Sequence, residues 1–400
     1  MKWQNRGHDL DGLGSYFQEH ADIYIYTDEG YAHTLAAALT FLKREIRLID
    51  PSVNQAEGSR VPLREVLGRP EGKLVLIPIG YPDPDGIRRT LEDGGYQWNR
   101  NLFWSPDFMD RFLPVYALYV ADILYFPSLS FLSTTVCNLN CEKCLIFKPY
   151  AKTMRHRELG ELEREVDQVF SCVDYIGLIH VSGGEPFLYP HLAELLAYID
   201  GNYRDQIGTL GTVTNCSVIP DEKLCRALLD HRIFVELDDY TAAVPSLAEP
   251  LQKIRETMET HQISFKINHP VTWIDAFPPR QPYQLLGDEE LMERFRRCAN
   301  PFMELRNGRL YSCNYMGYAV TAGLIPDCLE DVYCLDGFSP VREKRRELLE
   351  FRMKFNQRGY VEFCKYCNGF PGINPAVVVP AEQAAGLLHW DMPQDRPMEE

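Results

Sequence analysis

Three closely spaced cysteines place the strongest limit on this chain. They occur in the run Cys137-Asn-Leu-Asn-Cys141-Glu-Lys-Cys144, directly after the apolar, β-rich run 131–136. Thiolates are the usual ligands of iron–sulfur clusters, so three thiols at this spacing can hold three corners of a cubane cluster and leave its fourth iron open. The alternative is half of a zinc site, which normally uses two close pairs of ligands and closes all four positions. Taken alone, the spacing favours the open cluster.

A second motif lies further along, where a predicted buried strand ends in two glycines and an acid. The run reads Tyr175-Ile-Gly-Leu-Ile-His-Val-Ser-Gly183-Gly184-Glu185-Pro. Glycines at a strand end allow close backbone approach to a ligand, and the carboxylate can bind an ammonium group. The two motifs, in this order and at this spacing, resemble those of the radical S-adenosylmethionine (SAM) superfamily. The resemblance covers residues 131–368.

That resemblance implies a 4Fe–4S cluster on the three cysteines, with SAM chelating the open iron through its amino and carboxylate groups. It also implies that Gly183, Gly184 and Glu185 hold the amino group of SAM, and that an external reductant such as flavodoxin or ferredoxin supplies electrons. One position departs from the family pattern, because Lys143 stands where an aromatic residue is common. Only a stacking contribution to adenine binding is affected by that change.

Composition narrows the classes of partner and compartment. The chain has 57 acidic and 41 basic residues, a net charge of -16, which argues against a nucleic-acid backbone as the main partner. No apolar run is long enough to span a bilayer, and the N-terminus has no signal-peptide core, so we expect no membrane association and a cytoplasmic location. All 12 cysteines lie at or after Cys137, and the close groups among them suit metal ligation better than disulfides.

Residues 1–126 contain no cysteine and predict a separate α/β domain. The β-rich run 22–26, a helical pattern over 31–45 and the strand pattern 46–50 give a β-α-β order, with Asp50 at the end of the second strand. This order indicates a Rossmann-like domain. The phosphate-binding glycines are missing except for Gly30, so a role as a scaffold, docking surface or substrate handle is favoured over nicotinamide binding.

From 127 to 285 the strand and helix patterns alternate. Strands are predicted at 129–136, 175–181, 209–214, 233–237 and 264–268, and helices at 157–170, 191–198, 221–230 and 251–260. Repeated βα units imply a parallel sheet with sites at the carboxyl ends of its strands. The radical SAM resemblance implies that this sheet is a partial (β/α)6 barrel.

The remaining strand ends provide the other candidate site residues. Thr214 and Asn215 are predicted to bind SAM, and polar residues at the later strand ends are candidates for substrate contacts. His180 is predicted to satisfy a buried backbone group. The candidates for catalytic residues, including a cavity thiol that could donate hydrogen, are Lys266, Asp238 and Cys216.

Residues 286–400 contain a second set of cysteines. Cys298 and Cys313 flank an Asn307-Gly308 hairpin signal, and Cys364 and Cys367 form a CxxC pair. This pattern resembles the twitch extension of radical SAM enzymes, a shortened relative of the SPASM domain, and implies one auxiliary 4Fe–4S cluster. The alternative is a structural four-cysteine zinc site. Cys328 and Cys334, which lie between the pairs, are interpreted as free or structural thiols.

Three functional hypotheses follow. The favoured one is a radical SAM oxidoreductase or epimerase that abstracts hydrogen from a small polar substrate of the sugar or aminocyclitol type. The second is a SPASM-type maturase that modifies a ribosomal peptide. The third is an iron–sulfur carrier without enzymatic activity, which the SAM-like motif at 183–185 argues against.

Overall fold

A computed structural model describes residues 10–27, 30–78, 83–276, 286–298, 300, 302–355, 358–370 and 373–390. The chain divides into two compact units. One is formed by Gly7–Pro127 with Val173–Gly177, and the other contains Ser128–Cys172 and Leu178–Glu400. The predicted domain boundary near 285 falls within 277–285, outside the described residues, and stays a prediction.

The N-terminal unit contains a five-stranded parallel sheet in the order β3-β2-β1-β4-β5. This is the strand order of a doubly wound Rossmann-type sheet. Its elements are α1 (Leu10–Glu19), β1 (Asp22–Tyr26), α2 (Tyr31–Ala38), β2 (Ile46–Ile49), β3 (Arg60–Val61), α3 (Leu63–Val66), β4 (Lys73–Ile77), α4 (Pro84–Asp93), β5 (Leu102–Trp104), α5 (Ser105–Asp107) and α6 (Leu113–Ala121).

In this unit the first helix after β1 is shorter than predicted, whereas two strands of the sheet are buried. The helix predicted over 31–45 ends at Ala38, and a short 3₁₀ turn follows before Lys43 adopts a left-handed conformation (φ 53°). The strands β1 and β4 are almost fully buried on both faces, as expected for a parallel sheet covered by helices. The α/β class predicted here is therefore confirmed.

The second unit is built on an eight-stranded sheet in the order β10-β9-β8-β7-β6-β12-β13-β14. Its first part has the elements β6 (Tyr125–Thr134), α7 (Leu159–Cys172), β7 (Tyr175–Gly183), α8 (Leu192–Tyr203), β8 (Ile207–Thr214), α9 (Glu222–Asp230), β9 (Phe234–Asp238), α10 (Ala248–Thr260) and β10 (Phe265–Asn268). β8 is parallel to β9, and β9 is parallel to β10. The alternating strands and helices predicted for a partial barrel are thus confirmed.

The remaining elements are β11 (Trp273–Ile274), α11 (Asp288–Arg297), β12 (Glu304–Arg306), β13 (Arg309–Tyr311), α12 (Asn314–Thr321), β14 (Val332–Cys334), α13 (Arg342–Arg352) and β15 (Val377–Val378). Among them, β12, β13 and β14 extend the opposite edge of the sheet, and β11 and β15 form a separate two-stranded sheet. β12 is parallel to β6 and forms an antiparallel hairpin with β13. The hairpin turn has Asn307 and Gly308 at positive φ (50° and 68°), as a two-residue Asn-Gly turn requires.

Local sequence explains where these elements start. The side chain of Asp221 accepts a hydrogen bond from the N–H of Leu224 (2.8 Å) and so caps the first turn of α9. In α7 the buried apolar residues Leu162, Val166 and Val169 recur at helical spacing and face the core. Each βα unit therefore delivers the end of its strand to the same edge of the sheet, where the candidate site residues lie.

Candidate active site

The cysteine trio lies in a loop after β6, where its side chains share one apolar environment. Cys137, Cys141 and Cys144 pack in one cluster with the buried residues Leu139 and Leu247. Burial raises the pKa of the Cys137 thiol to about 12 and that of Cys144 to about 11. Bound iron would reverse this preference for the neutral thiol, because a coordinating thiol is deprotonated.

Within the described ranges, no three Cys, His, Asp or Glu side chains converge closely enough to hold a single metal ion. A cubane cluster makes a different demand, since each thiolate binds its own iron and the ligands are spread around the cluster. The three thiols also fit its ligand chemistry, because they pack in one apolar cluster and form no disulfide.

The glycine motif packs tightly against the strand that leads into the cysteine loop. A Cβ atom on Gly184 would lie 2.4 Å from the carbonyl oxygen of Val136, and one on Gly183 would lie 2.8 Å from that of Thr134. The N–H of Gly184 donates to the Thr134 carbonyl (2.8 Å), and the N–H of Glu185 donates to the Val136 carbonyl (2.9 Å). The close approach that the glycines allow is therefore to the backbone of β6 and the residues after it.

Glu185 is fully buried and connects the motifs. One carboxylate oxygen accepts from the N–H of Phe187 (3.0 Å) and the other from the N–H of Asn215 (2.7 Å). Burial raises the pKa of Glu185 to about 7, and these hydrogen bonds oppose the increase. The side-chain amide of Asn215 then donates to Cys137 Sγ (3.6 Å). Three motifs that are separate in sequence thus meet at the carboxyl ends of neighbouring strands.

The two residues beside Asn215 are also buried. Thr214 accepts a hydrogen bond on Oγ1 from the N–H of Cys216 (3.1 Å), and Cys216 itself has a left-handed backbone (φ 59°). The Cys216 thiol is 1% exposed and lies within weak hydrogen-bonding range of the Thr214 carbonyl (3.7 Å). Burial raises the pKa of this thiol well above its ordinary value.

Several polar side chains line one face of the strands β7, β9 and β10. In β9, Val235 and Leu237 are fully buried, whereas the alternate residues Glu236 and Asp238 point to the opposite, partly exposed face. Asp238 accepts hydrogen bonds from Tyr240 Oη (2.8 Å) and Asn268 Nδ2 (3.0 Å). Burial raises the pKa of Asp238.

Lys266 and His180 belong to the same polar face. Lys266 is exposed and stands opposite Glu236 in the parallel register of β10 and β9. The Nε2 atom of His180 makes no hydrogen bond to any part of the chain that the structure describes, so this nitrogen does not satisfy a backbone group. It lies 3.6 Å from the carboxylate of Glu236, and burial lowers the pKa of the imidazole.

The second cysteine set consists of Cys298, Cys313, Cys364 and Cys367. These four residues line one enclosed cavity together with Phe295, Tyr315 and Phe363. Three of them receive N–H donors. The N–H of Phe370 donates to Cys298 Sγ (3.3 Å), that of Gly369 to Cys367 Sγ (3.2 Å), and Asn300 Nδ2 to Cys313 Sγ (3.5 Å). Four thiols, three of which receive N–H donors, suit the ligands of an iron–sulfur cluster.

Comparison with protein families gives one match. Residues 131–278 match the Radical SAM superfamily. This chain contains a radical SAM domain. Radical SAM enzymes use a 4Fe–4S cluster and SAM, act on a substrate and require an electron donor. The predicted superfamily, its 4Fe–4S cluster and SAM are therefore confirmed.

Comparison with solved structures gives distant likenesses. Native anSMEcpe with bound AdoMet is 20% identical, with a TM-score of 0.31 over 36% of this chain and 44% of that chain. Streptococcus suis SuiB bound to precursor peptide SuiA is 15% identical, with a TM-score of 0.31 over 74% and 55%. BtrN in complex with AdoMet and 2-DOIA is 13% identical, with a TM-score of 0.38 over 61% and 93%.

This chain spans less than half of the anSMEcpe chain that it matches. No curated protein sequence matches it. None of the helices that the structure describes is long and apolar enough to cross a membrane.

Besides Cys216, four further cysteines belong to neither set, although Cys328 packs against the same apolar cluster as three members of the second set. Cys172 and Cys225 are buried, and Cys334 is exposed. Cys328 Sγ accepts a hydrogen bond from Arg358 (3.3 Å).

Sequence reasoning missed three site residues. Glu236 carried a detectable signal, because it is a charged residue that alternates with apolar ones in a predicted strand. Asn300 and Gln383, which donate to sulfur, carried none, since each contact depends on tertiary structure.

Proposed function

We propose that this protein is a radical SAM oxidoreductase that removes hydrogen from a small polar substrate of the sugar or aminocyclitol type. The observation that carries the proposal is the hydrogen-bonded connection Glu185–Asn215–Cys137, which joins the predicted SAM-binding residues to the predicted cluster ligands. A cysteine-only electron carrier has no need for this connection.

Cys137, Cys141 and Cys144 would hold the first cluster. When bound, a 4Fe–4S cluster with an open iron supplies the electron that cleaves SAM to methionine and a 5′-deoxyadenosyl radical, chemistry outside the reach of side chains alone. Around it the chain provides the apolar wall of Leu139 and Leu247, which limits access of water to the thiolates.

Glu185, with Gly183 and Gly184, would place the methionine part of SAM. The pKa of this buried carboxyl is about 7. The positive charge of a nearby ammonium group would stabilise its ionised form and so attract the two groups to each other. Thr214 and Asn215 continue the same wall, and the backbone donors on Glu185 fix the orientation of the carboxylate.

The polar face of the sheet would bind the substrate. Glu236, Asp238 and Lys266 present two acids and one base, and Asn268 and His180 add neutral polar groups. Hydroxyl and amino groups on a sugar or aminocyclitol pair well with such a set, because its side chains include both hydrogen-bond donors and acceptors.

The chain favours oxidation over epimerisation. Oxidation needs an acceptor for the second electron, and Cys298, Cys313, Cys364 and Cys367 line a cavity suited to an auxiliary cluster. Epimerisation needs a thiol that can reach the substrate and return hydrogen. Cys216, the candidate thiol, is 1% exposed and directed at the Thr214 carbonyl.

The test is anaerobic reconstitution with iron and sulfide, followed by dithionite reduction in the presence of SAM. We expect formation of 5′-deoxyadenosine, and loss of it in a variant with alanine at Cys137, Cys141 and Cys144. Incubation with SAM and separated small-molecule or peptide fractions of cell extract then identifies the consumed substrate. No SAM cleavage by protein with a full iron complement would overturn the proposal, and consumption of a peptide would replace the substrate class.

A further inference from the structure

The segment 373–390, here called the C-terminal strap, returns to the cysteine loop. Its strand β15 pairs antiparallel with β11. Further along, the N–H of Glu142 donates to the carbonyl of Glu382 (2.7 Å), and the N–H of Ala384 donates to that of Asn140 (2.8 Å). Ala381 is fully buried in the same apolar cluster as the three cysteines. The strap is therefore part of the wall of the loop.

Within the strap, the side chain of Gln383 contacts the loop with both ends of its amide. Oε1 accepts a hydrogen bond from the N–H of Asn140 (2.7 Å). Nε2 donates to Cys141 Sγ (3.3 Å) and to the carbonyl of Ala381 (2.7 Å). Because Oε1 is held by a backbone donor, the amide has one orientation, in which Nε2 faces the sulfur and the Ala381 carbonyl.

Of the three cysteine residues, the one that Gln383 contacts has the least exposed surface. Cys141 is buried, whereas Cys137 and Cys144 are partly exposed. In a poorly solvated site, an N–H donor aimed at a thiolate interacts strongly with its charge. Hydrogen bonds to the sulfur ligands are one of the factors that set the reduction potential of an iron–sulfur cluster.

We infer that Gln383 is a positioning residue of the cysteine trio, whose hydrogen bond to Cys141 Sγ raises the reduction potential of the cluster bound there. The inference rests on the proposed function. Reduction adds one electron, supplied by the external reductant, and so one negative charge to the cluster and its thiolates. A donor on Cys141 Sγ stabilises that added charge, and a residue beyond the predicted radical SAM core thereby controls how readily the electron enters.

Two variants test this inference, with the auxiliary set disabled by Cys364→Ala and Cys367→Ala so that one cluster is observed. Gln383→Leu removes the donor with similar volume. Gln383→Glu keeps an oxygen for the Asn140 N–H and replaces the donor with a negative charge. After reconstitution, the midpoint potential is measured by dithionite titration with electron paramagnetic resonance, and iron is counted. Gln252→Leu, on an exposed face of α10, is the matched control.

We expect iron content to stay unchanged. The midpoint potential should be highest with glutamine at position 383, lower in the Gln383→Leu variant and lowest in the Gln383→Glu variant. A tenfold loss in the ratio of reduced to oxidised cluster at fixed potential corresponds to about 59 mV for one electron. Equal potentials in all three proteins would overturn the inference. Loss of the cluster from both variants would also overturn it, in favour of a purely structural role. Failure of the control protein to hold iron would instead refute the proposed function.

Discussion

The backbone N–H of Asn215 donates a 2.7 Å hydrogen bond to the carboxylate of Glu185, at the ends of two strands that are neighbours in the sheet. The same residue donates through its side chain to Cys137 Sγ. A hydrogen bond to a buried carboxylate is stronger than one between neutral groups, so this contact fixes the distance between the two motifs. The predicted SAM site and the predicted cluster site therefore behave as one unit, and changes at either should affect both.

Replacement of Gly184 by alanine should disturb that unit. The added Cβ would lie 2.4 Å from the Val136 carbonyl oxygen and close to other backbone atoms, which cannot move as a side chain can. We expect a loss of about 1–3 kcal/mol in stability, the usual cost of overpacking, and weaker SAM binding. Gly201→Ala is the matched control, because nothing lies within 4 Å of its Cβ position in α8. Urea unfolding and SAM titration of both variants measure the effect, and equal stability would contradict it.

Replacement of Cys364 and Cys367 by alanine should remove about four irons per chain, the content of one cubane cluster. The two remaining thiols of the cavity, Cys298 and Cys313, cannot hold it alone. Metal analysis and the visible absorption of reconstituted protein measure the loss, with Cys334→Ser as the control because that thiol is exposed. Loss of zinc in place of iron would contradict the prediction and favour the alternative of a structural four-cysteine zinc site.

Replacement of Lys266 by methionine should lower kcat/KM for the substrate without changing SAM cleavage in its absence. The ammonium group lies on the proposed substrate face, and a hydrogen bond to a charged group contributes about 1.5–3 kcal/mol. The expected decrease is therefore roughly tenfold to a hundredfold.

The matched control for that variant is Lys253→Met, at an exposed position of α10. Product formation and uncoupled 5′-deoxyadenosine formation are measured for both proteins. A parallel decrease in the two rates of the Lys266 variant would place the lysine in SAM binding instead.

Glu304 should make stability depend on pH. It is fully buried, neither oxygen accepts a hydrogen bond from any described residue, and burial raises its pKa to about 8. Since the folded pKa exceeds the ordinary value of 4.5, the contribution of the neutral carboxyl is complete below about pH 4.5. This contribution is lost as the pH rises towards 8, and the free energy of unfolding then falls by up to about 1.4 kcal/mol per pH unit.

Glu304→Gln, which cannot ionise, should therefore flatten the fall in unfolding free energy between about pH 5 and 8. Urea unfolding across that range provides the measurement, and the exposed Glu289→Gln serves as control. An unchanged slope in the Glu304 variant would show that its carboxyl is already ionised in the folded protein.

Much of the fold was accessible from local pattern. The five strands and four helices predicted between 127 and 285 appear with shifts of a few residues at their ends, because apolar periodicity and caps act within a few residues. The Asn307-Gly308 turn was predictable for the same reason, since its geometry depends on two residues alone. The position of Glu236 beside His180 was not predictable, because the two residues lie on strands that are two places apart in the sheet.

The sequence by itself determined the ligands that this protein can offer, since the spacing within each cysteine group and within the glycine motif is local and limits the chemistry directly. Only the tertiary structure decided which side chains surround those ligands. Gln383 reaches Cys141 across 242 positions of chain, and Glu185 reaches Asn215 across 30. Such contacts depend on strand order and on the return of the C-terminal strap, which follow from burial of the whole core and not from any short stretch of residues.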